Sequence, residues 1–131
     1  IKTGQLQTTS RSDEKITFHD PCYLGRHNKI FDEPRNILEN VIEIENIIEM
    51  KESREGSMCC GAGGGNMWHE INEGERVNVE RFNQAVDTGA ETVATGCSFC
   101  TIMMDDAMKV TGKEDSVEIQ DIAELVGNSI E

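Results

Sequence analysis

Apolar residues along this chain fall into short runs of β-branched or small side chains, separated by longer stretches with helical spacing. Residues 15–19 (KITFH) read as a strand ending at Asp20-Pro21. Residues 23–31 read as a loop around Gly25. Asp32 as cap and Pro34 in the first turn predict a helix through about residue 40, with Ile37, Leu38 and Val41 inward. Residues 42–50 (IEIENIIEM) are predicted as a second strand, with helix the open alternative because periodicity does not separate the two over so short a run. Strand is preferred because a helix has just ended and a polar turn, 51–57, comes next. Over 66–87, Met67, Ile71, Val77, Phe82, Ala85 and Val86 have amphipathic helical spacing, broken near Gly74 and stopped at Thr88-Gly89. A third strand follows at 92–95 (TVAT). Ser98 is predicted to cap a helix over 98–110 that turns Ile102, Met103, Ala107 and Val110 inward. A fourth strand at 117–119 and a last helix, capped by Asp121 and carrying Ile122, Leu125, Val126 and Ile130, complete the series. Residues 1–14 are polar and aperiodic, and are expected to be a flexible opening or linker.

Strand and helix therefore alternate through one domain, residues 15–131. The order predicts an α/β fold: a parallel four-stranded sheet with flanking helices, built from Rossmann-like βαβ units with right-handed crossovers.

The chemistry gathers on five cysteines. Met58-Cys59-Cys60-Gly61-Ala62-Gly63-Gly64-Gly65 sets two adjacent thiols against a run with almost no side chains. Thirty-six residues separate Cys22 from Cys59, and 36 separate Cys60 from Cys97, which opens a Cys97-Ser98-Phe99-Cys100 group. Each group directly follows a predicted strand. Loops after parallel strands emerge at the carboxyl edge of the sheet, so the three groups are expected to converge in one pocket. Five thiols there suggest a soft-metal site, since thiolates select iron–sulfur clusters, zinc or copper(I) over hard cations. Gly61, Gly63, Gly64 and Gly65 are the expected cofactor-binding positions, because glycine lets backbone amides approach sulfur closely. Predicted helix starts after Gly65 and after Cys97 would add positive dipole ends.

Three other readings stay open at this point. Structural zinc takes four ligands in a closed tetrahedron, leaving a fifth thiol without a place. Thiol–disulfide chemistry through Cys97 and Cys100 resembles a thioredoxin-like motif but leaves Cys22 and the doublet unexplained. The cysteines could also be disulfide-bonded or simply buried as small apolar residues.

A net charge of −13 argues against nucleic acid, which draws binding affinity from Lys and Arg. No apolar run approaches the roughly 20 residues of a membrane-spanning helix, so direct membrane insertion is not expected. An odd cysteine count in a chain of 131 residues does not resemble a secreted disulfide framework, and a reducing, cytoplasmic setting is expected. The chain starts with Ile rather than Met and is expected to be a piece of a longer protein.

The blocks His19-Asp20-Pro21-Cys22-Tyr23-Leu24-Gly25-Arg26, Cys59-Cys60-Gly61-Ala62-Gly63-Gly64-Gly65 and Ala94-Thr95-Gly96-Cys97-Ser98-Phe99-Cys100 together resemble the cysteine-rich CCG domain. That domain occurs in the B and D subunits of heterodisulfide reductase and in iron–sulfur subunits of glycolate, lactate and glycerol-3-phosphate oxidoreductases. The resemblance implies that Cys22, Cys59, Cys60, Cys97 and Cys100 ligate an iron–sulfur cluster, 4Fe-4S and of a noncubane type in heterodisulfide reductase. It implies electron transfer within a larger oxidoreductase complex, beside other cluster or flavin domains, with no catalysis by this chain in isolation. A recombinant sample could instead carry zinc or no metal. His19 is expected to be a hydrogen-bonded structural histidine, with an outer-shell or substitute-ligand role as the alternative. His27 and His69 read as surface residues, and Tyr23, Arg26 and Asn66 as flanking the pocket. The glycine run lacks the dinucleotide fingerprint, whose third glycine would fall at Asn66. Met103, Met104 and Met108 read as core filler.

Overall fold

A computed structural model of the chain describes residues 3–8, 12–70 and 74–130. Strands β1 (Ile16–Phe18), β2 (Thr92–Thr95) and β3 (Glu118–Asp121) form a parallel sheet in that spatial order. The helices are α1 (Asp32–Leu38), α2 (Val77–Val86), α3 (Ser98–Val110) and α4 (Ile122–Asn128).

Side chains alternate across the sheet, and the register decides which layer each meets. Thr17, Val93 and Ile119 are partners in register, and Val93 and Ile119 pack with Phe82 and Ala85 of α2 and Met103, Met104 and Met108 of α3. Phe18 pairs with Ala94 on the opposite face, where both pack with Ile16, Leu38 of α1, Val41, Ile42 and Leu125 of α4. The result is a helix–sheet–helix sandwich. Its central strand is buried at all four residues, which accounts for the small, uncharged sequence Thr-Val-Ala-Thr. Each large apolar side chain sealed in these layers, such as Phe82 or Leu38, contributes roughly 1.5–3 kcal/mol of transfer free energy.

The sheet has three strands among the described residues, not the four expected. Residues 42–50 instead hold a 3-10 turn, Ile44–Asn46, flanked by the isolated bridges Ser12↔Ile42 and Ile16↔Ile47. The reason lies at Asn46. The alternation of isoleucines loses phase there, and the Asn46 amide donates to Asp13 O at 2.9 Å, so the chain turns outward and leaves Ile44 exposed. Of the expected pairing there remain the backbone bonds Ile48 N–H to Ile16 O at 2.8 Å and, ahead of β1, Glu43 N–H to Ser12 O at 3.2 Å.

The helix expected over 66–87 is also shorter. Its regular part is α2, while Gly63–Trp68 forms a 3-10 turn with positive φ at Gly64 and Gly65. Ile71, expected on its apolar face, lies outside the described residues. α3 runs over 98–110 as expected, but its N-cap is Cys97 and not Ser98, and Ile102 and Val110 face solvent rather than the core. Asp121 caps α4 in a capping box, accepting from Ala123 N–H while its own N–H donates to Glu124, both at 2.9 Å. In the opening segment Thr8 donates to Asn40 O at 3.0 Å and Ser12 N–H to Val41 O at 2.9 Å.

The end of β1 is anchored on both faces. His19 N–H donates to Ala94 O at 2.9 Å, carrying the ladder one residue past the strand. Alternation then sends His19 toward α2 and α3 and Asp20 toward α1. Arg35 of α1 grips Asp20 with both arms of its guanidinium, at 2.7 and 2.8 Å, and Arg54 N–H adds a third bond at 2.7 Å. Burial pushes the Asp20 carboxyl up, but the Arg35 fork and the Arg54 amide outweigh it and hold the group below its ordinary value. The two side chains are 2% and 7% exposed; Arg35 also grips the half-exposed Glu49, at 2.5 and 2.8 Å, so it is Asp20 that would be left as an uncompensated buried charge if Arg35 were lost. Replacing one partner of such a pair costs about 3–5 kcal/mol. Arg35→Met is therefore expected to lose about that much stability in urea unfolding, and adding Asp20→Asn should recover part of it; a loss below about 1 kcal/mol for Arg35→Met would show that the fork is not needed.

Candidate metal centre

Two of the three cysteine groups stand at the carboxyl ends of strands, as expected, and the third does not. Cys22 follows β1 and leads into a single π-helical turn, Tyr23–His27, closed by His27 N–H donating to Cys22 O at 3.0 Å. Gly25 is required there, because a Cβ would lie 2.6 Å from Cε1 of Phe31. Cys97 follows β2 and forms the N-cap of α3, with Cys100 in the first turn. The start of α3 places free amides and the positive end of the helix dipole beside this pair.

The Cys59-Cys60 doublet follows a 3-10 turn, Arg54–Gly56, and not a strand. Side chains carry it to the sheet edge instead. Buried Ser57 donates from Oγ to Asp20 O at 3.2 Å, accepts Arg81 Nη2 on the same oxygen at 3.1 Å, and offers its carbonyl to Arg26 Nη2 at 3.2 Å. One serine thus links the doublet to the end of β1, the Cys22 turn and α2.

Cys60 and Cys100 are buried, and their sulfurs and one imidazole nitrogen of buried His19 all lie within 4.8 Å of one another. Cys59 and Cys97, partly buried, pack against the same apolar core. Cys22 meets Cys59 along a crevice also lined by Pro21, Arg26, Ser57 and Met58. Among the two buried thiols, hydrogen bonding from Cys100 pulls Cys60 down to about 4, helped by His19 and the Ala62 amide and opposed by burial. Cys100, which lends that proton and is itself buried, is pushed up. Burial holds His19 below its ordinary value, against the contact with Cys60 that favours its charge.

The glycine run divides. Gly61 N–H donates to Cys59 Sγ at 3.3 Å, and Gly61 has φ of +87° with Val77 Cβ 3.2 Å from where its own Cβ would be. Gly63, Gly64 and Gly65 lie in the exposed 3-10 turn, with open space around them. The α-helix expected to begin after Gly65 is absent from this turn, so the dipole contribution comes from α3. His27 and His69 are exposed, as are Tyr23 and Asn66; Tyr23 packs its ring 5.5 Å from that of His27. Exposed apolar side chains stand on the cysteine loops: Tyr23 next to Cys22, Phe99 between Cys97 and Cys100, and Trp68, 83% exposed, after the glycines.

Arg81 was not singled out by the sequence, and it is fully buried beneath the thiols. Its Nε donates to His19 Nδ1 at 3.0 Å, Nη1 to Glu52 O and Gln84 Oε1 at 2.7 Å each, and Nη2 to Ser57. Among the described residues no carboxylate stands within 4 Å of it. The signal was present: Asn78, Arg81, Phe82 and Ala85 share one helical face, and a cation among core positions marks a buried polar task.

A family profile for the CCG cysteine-rich domain matches residues 16–105. The chain belongs to this family. As a CCG domain it is 43% identical over 130 residues to the probable iron-sulfur-binding oxidoreductase FadF of Bacillus subtilis, covering 99% of this chain and 18% of the relative. It is 36% identical to the EtfAB:quinone oxidoreductase of Syntrophomonas wolfei, over 100% of this chain and 19% of that protein. It is 32% identical to the D subunit of the dihydromethanophenazine:CoB–CoM heterodisulfide reductase of Methanosarcina acetivorans, over 99% of this chain and 31% of that protein. This CCG domain thus spans between about a fifth and a third of the length of these curated relatives.

The two classes of glycine should respond differently to a methyl group. Gly61→Ala is expected to lose at least about 1–2 kcal/mol, from left-handed strain alone, and to disturb the Cys59 amide contact. Gly63→Ala should stay within about 0.5 kcal/mol of the parent. Thermal unfolding of both variants checks this, and equal stabilities would contradict the division.

Proposed function

We propose that residues 15–131 hold one iron–sulfur cluster on Cys22, Cys59, Cys60, Cys97 and Cys100, and that the domain relays electrons inside a larger oxidoreductase in a reducing, cytoplasmic setting. Residues 1–14 serve as its linker. The observation that carries this reading is the packing of Cys59, Cys60, Cys97 and Cys100 around one buried region, with Cys22 across a crevice from Cys59. The surroundings suit an anionic sulfur-rich group. Ligand atoms are soft, Gly61 N–H already donates to sulfur, α3 turns its positive end inward, and Arg81 supplies a buried cation that, among the described residues, no carboxylate contacts directly. The names of the three relatives support the same assignment.

A sulfur-ligated cluster supplies one-electron transfer at a potential set by charge, hydrogen bonds to sulfur and exposure. This chain's residues do the rest. The five thiolates bind, the amides of Gly61 and Ala62 face the sulfurs, and the methionine-rich α2–α3 layer keeps water from the inner side. Five ligands rather than four support the noncubane 4Fe-4S type. Tyr23, Trp68 and Phe99 offer an apolar rim at which another cluster or flavin domain would approach. Among the described residues no helix is long and apolar enough to cross a membrane, and the net charge of −13 does not suit nucleic acid.

Anaerobic reconstitution with iron and sulfide tests this. The chain should take up about four irons, show broad visible absorbance that bleaches on reduction, and lose both in Cys60→Ser and Cys100→Ser. A colourless chain that takes up only zinc, with full affinity after loss of one thiol, would contradict the proposal.

A further inference from the structure

Arg81 and His19 form a buried pair whose chemistry the ligand set does not use. An arginine nitrogen in a protein always carries its proton. Arg81 Nε–H points at His19 Nδ1 at 3.0 Å, so Nδ1 must present a lone pair and the imidazole proton must sit on Nε2. That Nε2 is buried and has no hydrogen-bond partner among the described residues. What lies within reach of the ring is sulfur, from Cys60 and Cys100, with every ligand atom of the trio inside 4.8 Å. A buried N–H without a partner costs about 1–3 kcal/mol, and a thiolate sulfur facing it would remove that cost.

We propose that His19 is not a metal ligand but an N–H donor to the Cys60 and Cys100 sulfurs, held in that tautomer by Arg81, so that the pair raises the reduction potential of the group those thiolates bind. This rests on the iron–sulfur reading above. Ligation through Nε2 would require the proton to move to Nδ1, directly against the Nε–H of the fully buried Arg81 guanidinium. His19 acts on sulfur; Arg81 is a positioning residue that acts through His19 and adds a desolvated positive charge behind it. An added electron makes the sulfurs more negative, so both the N–H and the charge favour the reduced state.

Two measurements separate this inference from its basis. In the metal-free, reduced chain, a long-range proton–nitrogen-15 correlation spectrum should show His19 with a protonated Nε2 and a bare Nδ1; the opposite tautomer overturns the proposal whatever the metal does. In the reconstituted chain, His19→Asn, whose amide reaches only the Nδ1 position, should shift the one-electron equilibrium about tenfold against reduction, equivalent to about 59 mV. His19→Gln, which keeps an N–H near the Nε2 position, should restore most of that shift, and Arg81→Met should move the potential in the same direction as His19→Asn. Wild-type protein labelled with nitrogen-15 histidine should give only the weak hyperfine coupling of a hydrogen-bonded nitrogen. A strong, directly bonded coupling, or equal potentials in wild type and His19→Asn at equal iron content, overturns the assignment. A wild-type chain that takes up no iron removes the functional reading itself, and the potential argument with it.

Discussion

A guanidinium sealed from water beneath a group of thiols is the constraint on which this site depends. Taking Arg81 out of solvent carries a penalty of several kcal/mol, and burial alone pushes its proton affinity down. Four hydrogen bonds to His19, Glu52, Gln84 and Ser57 satisfy most of its donors, but none of these partners carries a full negative charge. The balancing charge comes from the neighbourhood, first from the Asp20 and Glu52 carboxylates, and the lowered Cys60 thiol lies on the far side of the imidazole contact. Negative charge on Cys60 and the buried arginine therefore flank His19 together. This explains why a cation stands in a buried helix face beside Asn78, Phe82 and Ala85.

The opposite face of the same strand end repeats the device with the signs exchanged. Asp20 is the buried charge there, and Arg35 and the Arg54 amide compensate it. Because successive residues alternate across the sheet, His19 and Asp20 pin the Cys22 turn from both sides at once. Ser57 then joins the doublet to this frame by three hydrogen bonds. The doublet needs no strand of its own because polar side chains, rather than a ladder, hold it in place.

Much of this was legible in the sequence, and the failures have identifiable causes. Thr92–Thr95 read correctly because a strand covered by helices on both faces must be short, small and uncharged. Asp121 read correctly because a capping box is local. The expected fourth strand failed at Asn46, where one polar residue shifted the phase of the isoleucines and an amide bond to Asp13 turned the chain outward. The long helix after the glycines keeps only the part beyond Gly74, where a φ of +77° makes the break expected there, and residues 66–68 are taken into the 3-10 turn instead. Spacing brought the five cysteines into one expectation, and the sulfurs of Cys60 and Cys100 do meet. The glycine run was read too evenly, since only Gly61 is packed with its amide on sulfur. Arg81 escapes a local reading because three of its four partners, Ser57, Glu52 and His19, lie 24 to 62 positions away, a distance at which no local pattern signals a contact.

The central claim is that sulfur from three distant loops surrounds one iron-containing core. Iron-edge X-ray absorption on the anaerobically reconstituted chain tests it most directly. The account predicts a first shell of sulfur alone around every iron, together with short iron–iron scattering. A shell containing nitrogen or oxygen from the protein, or isolated iron without iron neighbours, would contradict it.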